Sequence, residues 1–111
     1  MSLIEQARQG RMSKLVRSVA LKEGVAADLV LRGLAEGRTV ILHNARRPLA
    51  SACAVGSGLR TKVNANIGTS QDLCDIRLEL AKLKAAEGAG ADAVMDLSTG
   101  GDIAAIRKRI I

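Results

Sequence analysis

Arg60-Thr-Lys-Val-Asn-Ala-Asn-Ile-Gly68, followed after a helical stretch by Ala93-Val-Met-Asp-Leu97 and Ser98-Thr-Gly-Gly-Asp102, is the run that decides the fold. The segment Arg60–Ile67 alternates side-chain type and stops at Gly68, which predicts a strand. Ser70 is placed to cap a helix in which Leu73, Ile76, Leu80 and Leu83 recur on one side, ending at Gly88-Ala-Gly90. A second strand is expected over Ala93–Leu97, and Asp102 is placed to cap a last helix, Ile103–Ile111. Strand, helix, strand, helix at this spacing suits a parallel βαβ connection. The class is α/β.

Working outward, the first third reads as short helices. Ser2-Leu-Ile-Glu5 has capping-box spacing, and Gly10 stops that turn. Ser13 can cap a second helix carrying Leu15, Val16, Val19 and Ala20 as far as Gly24. Asp28 to Glu36 supplies a third, and Arg38-Thr-Val-Ile-Leu42 is a short strand candidate. His43-Asn-Ala-Arg-Arg-Pro48 reads as a loop, because Pro48 disfavours helix at Arg47. Cys53-Ala-Val-Gly56-Ser-Gly58 is small and apolar and receives no assignment. The expected organisation is a helical region with one short strand and a loop over 1–59, and two βα units over 60–111.

At 111 residues the chain is one domain or part of one. Its apolar share of 48% contains 18 alanines, 30 Ile, Leu or Val, and no aromatic residue, so any core is built from small side chains. Single-stranded nucleic-acid binders stack bases on aromatic rings, which this chain lacks. The +6 charge is scattered through Arg8, Arg11, Lys14, Arg17, Arg46, Arg47 and Arg107-Lys-Arg109 without a groove-reading motif, so no nucleic-acid partner is expected. No apolar run approaches the roughly 18 residues that span a bilayer, and Met1–Gly10 is too polar for a signal peptide. No membrane partner is expected, and the location expected is cytoplasmic. Cys53 and Cys74 stand 21 positions apart with no CxxC pair, which makes a buried small hydrophobe the reading of each. His43, the single histidine, has no partner evident in the sequence.

Alternation puts Lys62, Asn64 and Asn66 on one strand face and Val63, Ala65 and Ile67 on the other. Two readings of the polar face stay open. It belongs to an edge strand in water, or it lines a pocket, since parallel α/β sheets place ligands at the carboxyl ends of their strands. Asn66 sits at that end, with Met95 and Asp96 near the equivalent end of the next strand. Ser98-Thr-Gly-Gly-Asp102 opening a helix could hold a phosphate on backbone N–H groups, but Asp102 already supplies an acceptor there.

Lys62-Val-Asn-Ala-Asn-Ile-Gly68 and Ala91-Asp-Ala-Val-Met-Asp-Leu-Ser-Thr-Gly100, at their separation, closely resemble the phosphomethylpyrimidine synthase (ThiC) family. Glu5-Gln-Ala-Arg-Gln-Gly10 is similar to its "ARxG" helix. Ala35-Glu-Gly-Arg38 and the residues after it are similar to its "EGRAVIPAN" strand, with Asn44 at the final Asn. The resemblance implies the N-terminal portion of such an enzyme, with a short helical region followed by the first two βα units of a (β/α)8 barrel that stays incomplete in this chain. It implies a radical S-adenosylmethionine lyase that converts 5-aminoimidazole ribotide to hydroxymethylpyrimidine phosphate for thiamine biosynthesis. By position, Asn66 and Met95 match family residues that contact the ribotide, and Asn64 is their neighbour on the same face.

The resemblance also implies a [4Fe–4S] cluster, S-adenosylmethionine and a divalent metal in the complete enzyme, none of them bound by residues of this chain. The family's CxxCx₄C triad and its metal-binding histidines have no counterpart here, and no catalytic residue is assigned. Where the family commonly has "NINHPE", this chain has Asn44-Ala-Arg-Arg-Pro-Leu49, and His43 stands at a usual alanine. Two strands cannot close a barrel, so the remainder of the barrel or another chain is the expected partner, with a homodimer expected. Two other readings fit the same residues: a paralogous 5-hydroxybenzimidazole synthase using the same ribotide, and a truncated, non-catalytic ribotide- or partner-binding module.

Overall fold

A computed structural model describes residues 1–44, 46–47 and 52–111. The loop expected around Pro48 lies largely outside the described residues. Within it, Asn44 Oδ1 accepts from the Arg46 and Arg47 N–H groups at 2.9 and 3.1 Å. The chain divides into two compact units, Met1–Thr61 and Lys62–Ile111.

The first unit opens with helices α1 (Leu3–Arg8), α2 (Lys14–Glu23) and α3 (Ala27–Ala35). α1 starts on a complete capping box: Ser2 Oγ accepts from Glu5 N–H, and the Glu5 carboxylate accepts from Ser2 N–H at 2.7 Å. Ser13 Oγ accepts from Val16 N–H to start α2, which ends on Gly24 in the left-handed conformation. α1 and α2 pack against α3, which packs against the strand that follows.

That strand, β1 (Thr39–Leu42), pairs antiparallel with β2 (Cys53–Gly56), Thr39 opposite Gly56 and Leu42 opposite Cys53. β2 carries no periodic signal in the sequence, because its four residues are small and do not alternate. The ladder with β1 makes it a strand. Ile41 and Ala54 are buried beneath this sheet with Val16, Val19, Ala20, Val30 and Leu34, whereas Val40 and Val55, paired across the ladder, face outward. Val30 is wholly buried, and a fully buried valine or leucine contributes about 1.5–3 kcal/mol. With no aromatic ring available, backbone elements approach closely. Thr39 lies so near α3 that a Cβ placed on Gly33 would sit 2.2 Å from its Oγ1.

The second unit contains β3 (Asn64–Ile67), α4 (Ile76–Gly88), β4 (Ala93–Asp96) and α5 (Ile103–Ile110). β3 and β4 pair in parallel, in register from Asn64↔Ala93 to Ile67↔Asp96, and α4 connects them. α4 packs on β3 and against α5. This is the α/β character expected. Two boundaries differ from expectation by more than one residue. The regular ladder begins at Asn64 rather than Arg60: the Arg60 N–H is taken by Glu23 Oε2 (2.9 Å), and at the step before the ladder Val63 C=O is shared between Asp92 N–H (3.0 Å) and Ala93 N–H (3.3 Å). Asp92 substitutes for the ladder one step earlier, its Oδ2 accepting from Val63 N–H at 2.8 Å.

The helix after β3 starts at Ile76, not beside Ser70. Ser70 closes a local turn instead, its N–H donating to Leu73 C=O (2.9 Å) and its Oγ accepting from Leu73 N–H (3.0 Å). Asp75 is the cap of α4, accepting from Arg77 N–H at 2.9 Å. Leu73 therefore falls outside the apolar helical stripe and is 56% exposed.

The contact at Gly33 reverses an ordinary expectation. Gly→Ala inside a helix normally stabilises by about 1 kcal/mol. Here Gly33→Ala is expected to destabilise the chain by about 1–3 kcal/mol through overpacking against Thr39. Urea denaturation of the two proteins checks the sign, and a more stable alanine variant would refute the close approach.

Candidate functional site

Parallel register partners project to the same side of a sheet, so the β3–β4 ladder sets Asn66 directly beside Met95, and Asn64 beside Ala93. Asn64 and Asn66 are exposed and Met95 is 48% exposed, so this face is uncovered among the described residues. The opposite face buries Ile67 and half-buries Ala65 and Val94. Val63, expected to pack on that side, is 61% exposed because it precedes the ladder.

The loops that follow the two strands bind each other. Leu97 N–H donates to Ile67 C=O at 2.7 Å, extending the ladder, and Thr99 N–H donates to Thr69 C=O at 2.8 Å. Thr69 N–H donates to Ser98 Oγ (3.1 Å), and Thr69 Oγ1–H donates to Gly100 C=O (2.7 Å). Thr69 and Ser98 are both buried. The crossing is possible only without side chains: a Cβ on Gly68 would lie 2.7 Å from Leu97 C, and one on Gly100 would lie 2.2 Å from Ser70 O. Ser98-Thr-Gly-Gly-Asp102 is thus committed to the neighbouring loop and to α5, where Asp102 Oδ1 caps Ala105 N–H at 3.0 Å.

Asp96 anchors this crossing from β4. Its Oδ1 accepts from Ser98 Oγ–H (2.5 Å) and Ser98 N–H (3.1 Å), and its Oδ2 accepts from Arg107 Nε–H of α5 at 2.9 Å. The Ser98 hydroxyl, followed by the Arg107 guanidinium, holds the Asp96 carboxyl below the usual aspartate value, against the opposing pull of burial.

Behind the sheet lies a second charged group. Glu79, in the first turns of α4, is 1% exposed. Its Oε1 accepts from Lys82 Nζ at 2.6 Å, and Lys82 Nζ also donates to Gly68 C=O at 3.3 Å. Glu79 Oε2 has no hydrogen-bond partner among the described residues. Burying a carboxylate costs several kcal/mol, roughly, unless a well-placed partner offsets it. The periodicity of α4 does not single out this pair; its signal in the sequence is a Glu and a Lys three apart, between Ile76 and Leu83 of the apolar stripe.

The cysteines depart from the expected burial. Cys53 is half-buried in β2, and Cys74 is exposed, its Sγ–H 3.6 Å from Gly100 C=O. An iron–sulfur cluster needs several converging thiolates, and the chain has two cysteines in all. Among the described residues no three His, Cys, Asp or Glu side chains gather as a metal site. These residues do not fit a cluster or a metal centre. His43 is exposed beside the β1 end. Neither of two clefts, one of ≈ 270 Å³ around Arg32, Arg38 and Ser57 and one of ≈ 290 Å³ around Cys74, Ile76 and Ile106, contains Asn66 or Met95. No helix of the described residues is long and apolar enough to cross a membrane.

The model of the radical SAM ThiC family matches residues 2–111. The chain belongs to the radical SAM ThiC family. It is 52% identical over all its 111 residues to the phosphomethylpyrimidine synthase of Methanoculleus marisnigri, 49% to that of Syntrophus aciditrophicus and 47% to that of Thermococcus kodakarensis. In each case it covers 26% of the relative, so the chain spans about a quarter of the length of these ThiC-family proteins.

Because Asp96 has a depressed folded-state pKa, its stabilising effect is present in full above the unfolded value of about 3.9 and is lost as pH falls through the lower folded value. Asp96→Asn is expected to lower stability at neutral pH and to flatten the decline below about pH 4. Urea midpoints measured from neutral pH to pH 2 test this, and parallel acid limbs for the two proteins would rule it out.

Proposed function

We infer that the chain is the N-terminal portion of a phosphomethylpyrimidine synthase, a radical S-adenosylmethionine lyase converting 5-aminoimidazole ribotide to hydroxymethylpyrimidine phosphate in thiamine biosynthesis. Family membership over residues 2–111 and the likeness to phosphomethylpyrimidine synthases support the reading. The observation that carries it to particular residues is the pairing of Asn66 with Met95, side by side on an uncovered face at the carboxyl end of two parallel strands. That is the end at which parallel α/β sheets bind ligands.

In this reading residues 60–111 are the first two βα units of a (β/α)8 barrel, and residues 1–59 are the helical region before them. The open edges of β3 and β4 meet further strands of the complete barrel, and the complete enzyme is a cytoplasmic homodimer. Asn66 offers an amide donor and acceptor to the ribotide, and Met95 offers a polarisable thioether that packs on a flat ring. Asn64 stands one step further from the strand end on the same side. The cluster, S-adenosylmethionine and the metal are held by other parts of the complete enzyme.

Two measurements test the reading. The intact mass of the native gene product is expected to be several times that of this chain, with ribotide-dependent cleavage of S-adenosylmethionine. A native product ending at Ile111, without that activity, would overturn it in favour of a non-catalytic module. In the complete enzyme, Asn66→Ala is expected to lower kcat/KM for the ribotide by about tenfold or more, the loss of a buried hydrogen bond of about 1–3 kcal/mol. Val63→Ala, at a side chain 61% exposed, is expected to leave kcat/KM and stability nearly unchanged. Equal turnover for both variants removes Asn66 from the site.

A further inference from the structure

Among the residues of α4, Glu79 is the fully buried one, although that face would accept an apolar side chain at lower cost. Helix capping does not account for it, since Asp75 already caps α4. A surface ion pair does not account for it either, because such pairs leave both carboxylate oxygens in water. What the pair reaches is the peptide group between Gly68 and Thr69. Lys82 Nζ donates to the carbonyl of that group at 3.3 Å, and Ser98 Oγ accepts from its N–H at 3.1 Å. One peptide plane is gripped from both sides by side chains of two different elements.

The grip matters at this position. Ile67 C=O is the last strand carbonyl with a partner on β4's side, through Leu97 N–H. Gly68 then enters the loop with no side chain to restrain its backbone, and a glycine explores conformations closed to other residues. If the carbonyl were released, the peptide could rotate, and the end of β3 would lose the alignment that sets Asn66 beside Met95. The Glu79 carboxylate, itself out of contact with water, fixes at 2.6 Å the ammonium that does the holding.

We propose that Glu79 is a positioning residue for ribotide recognition: through Lys82 it holds the Gly68 carbonyl, and so holds the carboxyl end of β3 on which Asn66 stands. The inference rests on the functional reading given above and extends it to two residues that do not share the binding face.

The test uses the complete enzyme with Glu79→Gln, Lys82→Met and the double variant, reading ribotide KM and Kd, S-adenosylmethionine Kd and melting temperature. Each single variant is expected to raise ribotide KM and Kd by roughly tenfold or more, the scale at which small misplacements act, with S-adenosylmethionine Kd unchanged. The double variant is expected to be no worse than either single one, since the residues act as one unit. Unchanged ribotide KM in folded variants overturns the proposal. So does an equal loss of affinity for both ligands, which a general loosening would give. If either single variant does not fold, the double variant decides, because it removes the Gly68 contact and leaves no unpaired buried charge. A wild-type enzyme that leaves the ribotide unconverted refutes the functional reading, and this inference with it, before any variant is compared.

Discussion

The second unit depends on two loops touching through their backbones. Gly68 and Gly100 lie where the segments after β3 and β4 cross, and neither position has room for even a methyl group. The crossing brings Thr69 within reach of Ser98 and of the Gly100 carbonyl, which buries three polar groups but satisfies them. Asp96 then fastens Ser98, and Arg107 fastens Asp96, so α5 is tied to the same point. The register of β3 against β4 follows from this knot as much as from the four ladder positions. A parallel pair this short has little cooperativity of its own, because isolated two-stranded pairings are marginal in water.

A core without aromatic rings imposes a related constraint on the first unit. Small side chains fill space only when the backbones come close, and the Thr39–Gly33 contact is that closeness made local. Val16, Val19, Val30 and Leu34 then pack as a layer thin enough for Ile41 and Ala54 to close from the sheet side. Arg60, the last residue but one of this unit, has its N–H bound to Glu23, so the backbone is not available to lengthen β3.

Much of this was legible in the sequence. The capping residues Ser2, Ser13 and Asp102 announced helices that begin where expected, because a cap is a local hydrogen bond needing only its own next three residues. Ser70 misled for the same reason: its hydroxyl makes the local bond, but Thr69 and its neighbours are held by a loop about thirty residues away, and a long-range contact outweighs a local preference. β2 was invisible because Cys53, Ala54, Val55 and Gly56 become a strand only opposite β1. For the candidate site, alternation placed Asn64 and Asn66 on one face, and the family motif singled out Met95. Their adjacency needed the register, and Glu79 needed the depth of α4, neither of which a one-dimensional pattern contains.

Asn66 and Met95 are neighbours across a strand spacing of about 4.8 Å, and neither carries a charge. Contacts made by an amide and a thioether are not screened by dissolved ions, unlike those of the charged groups that commonly hold phosphorylated metabolites. Ionic strength therefore has no direct hold on this part of the face. An uncharged group lying across the two strands would meet the same surface in dilute buffer as in concentrated salt.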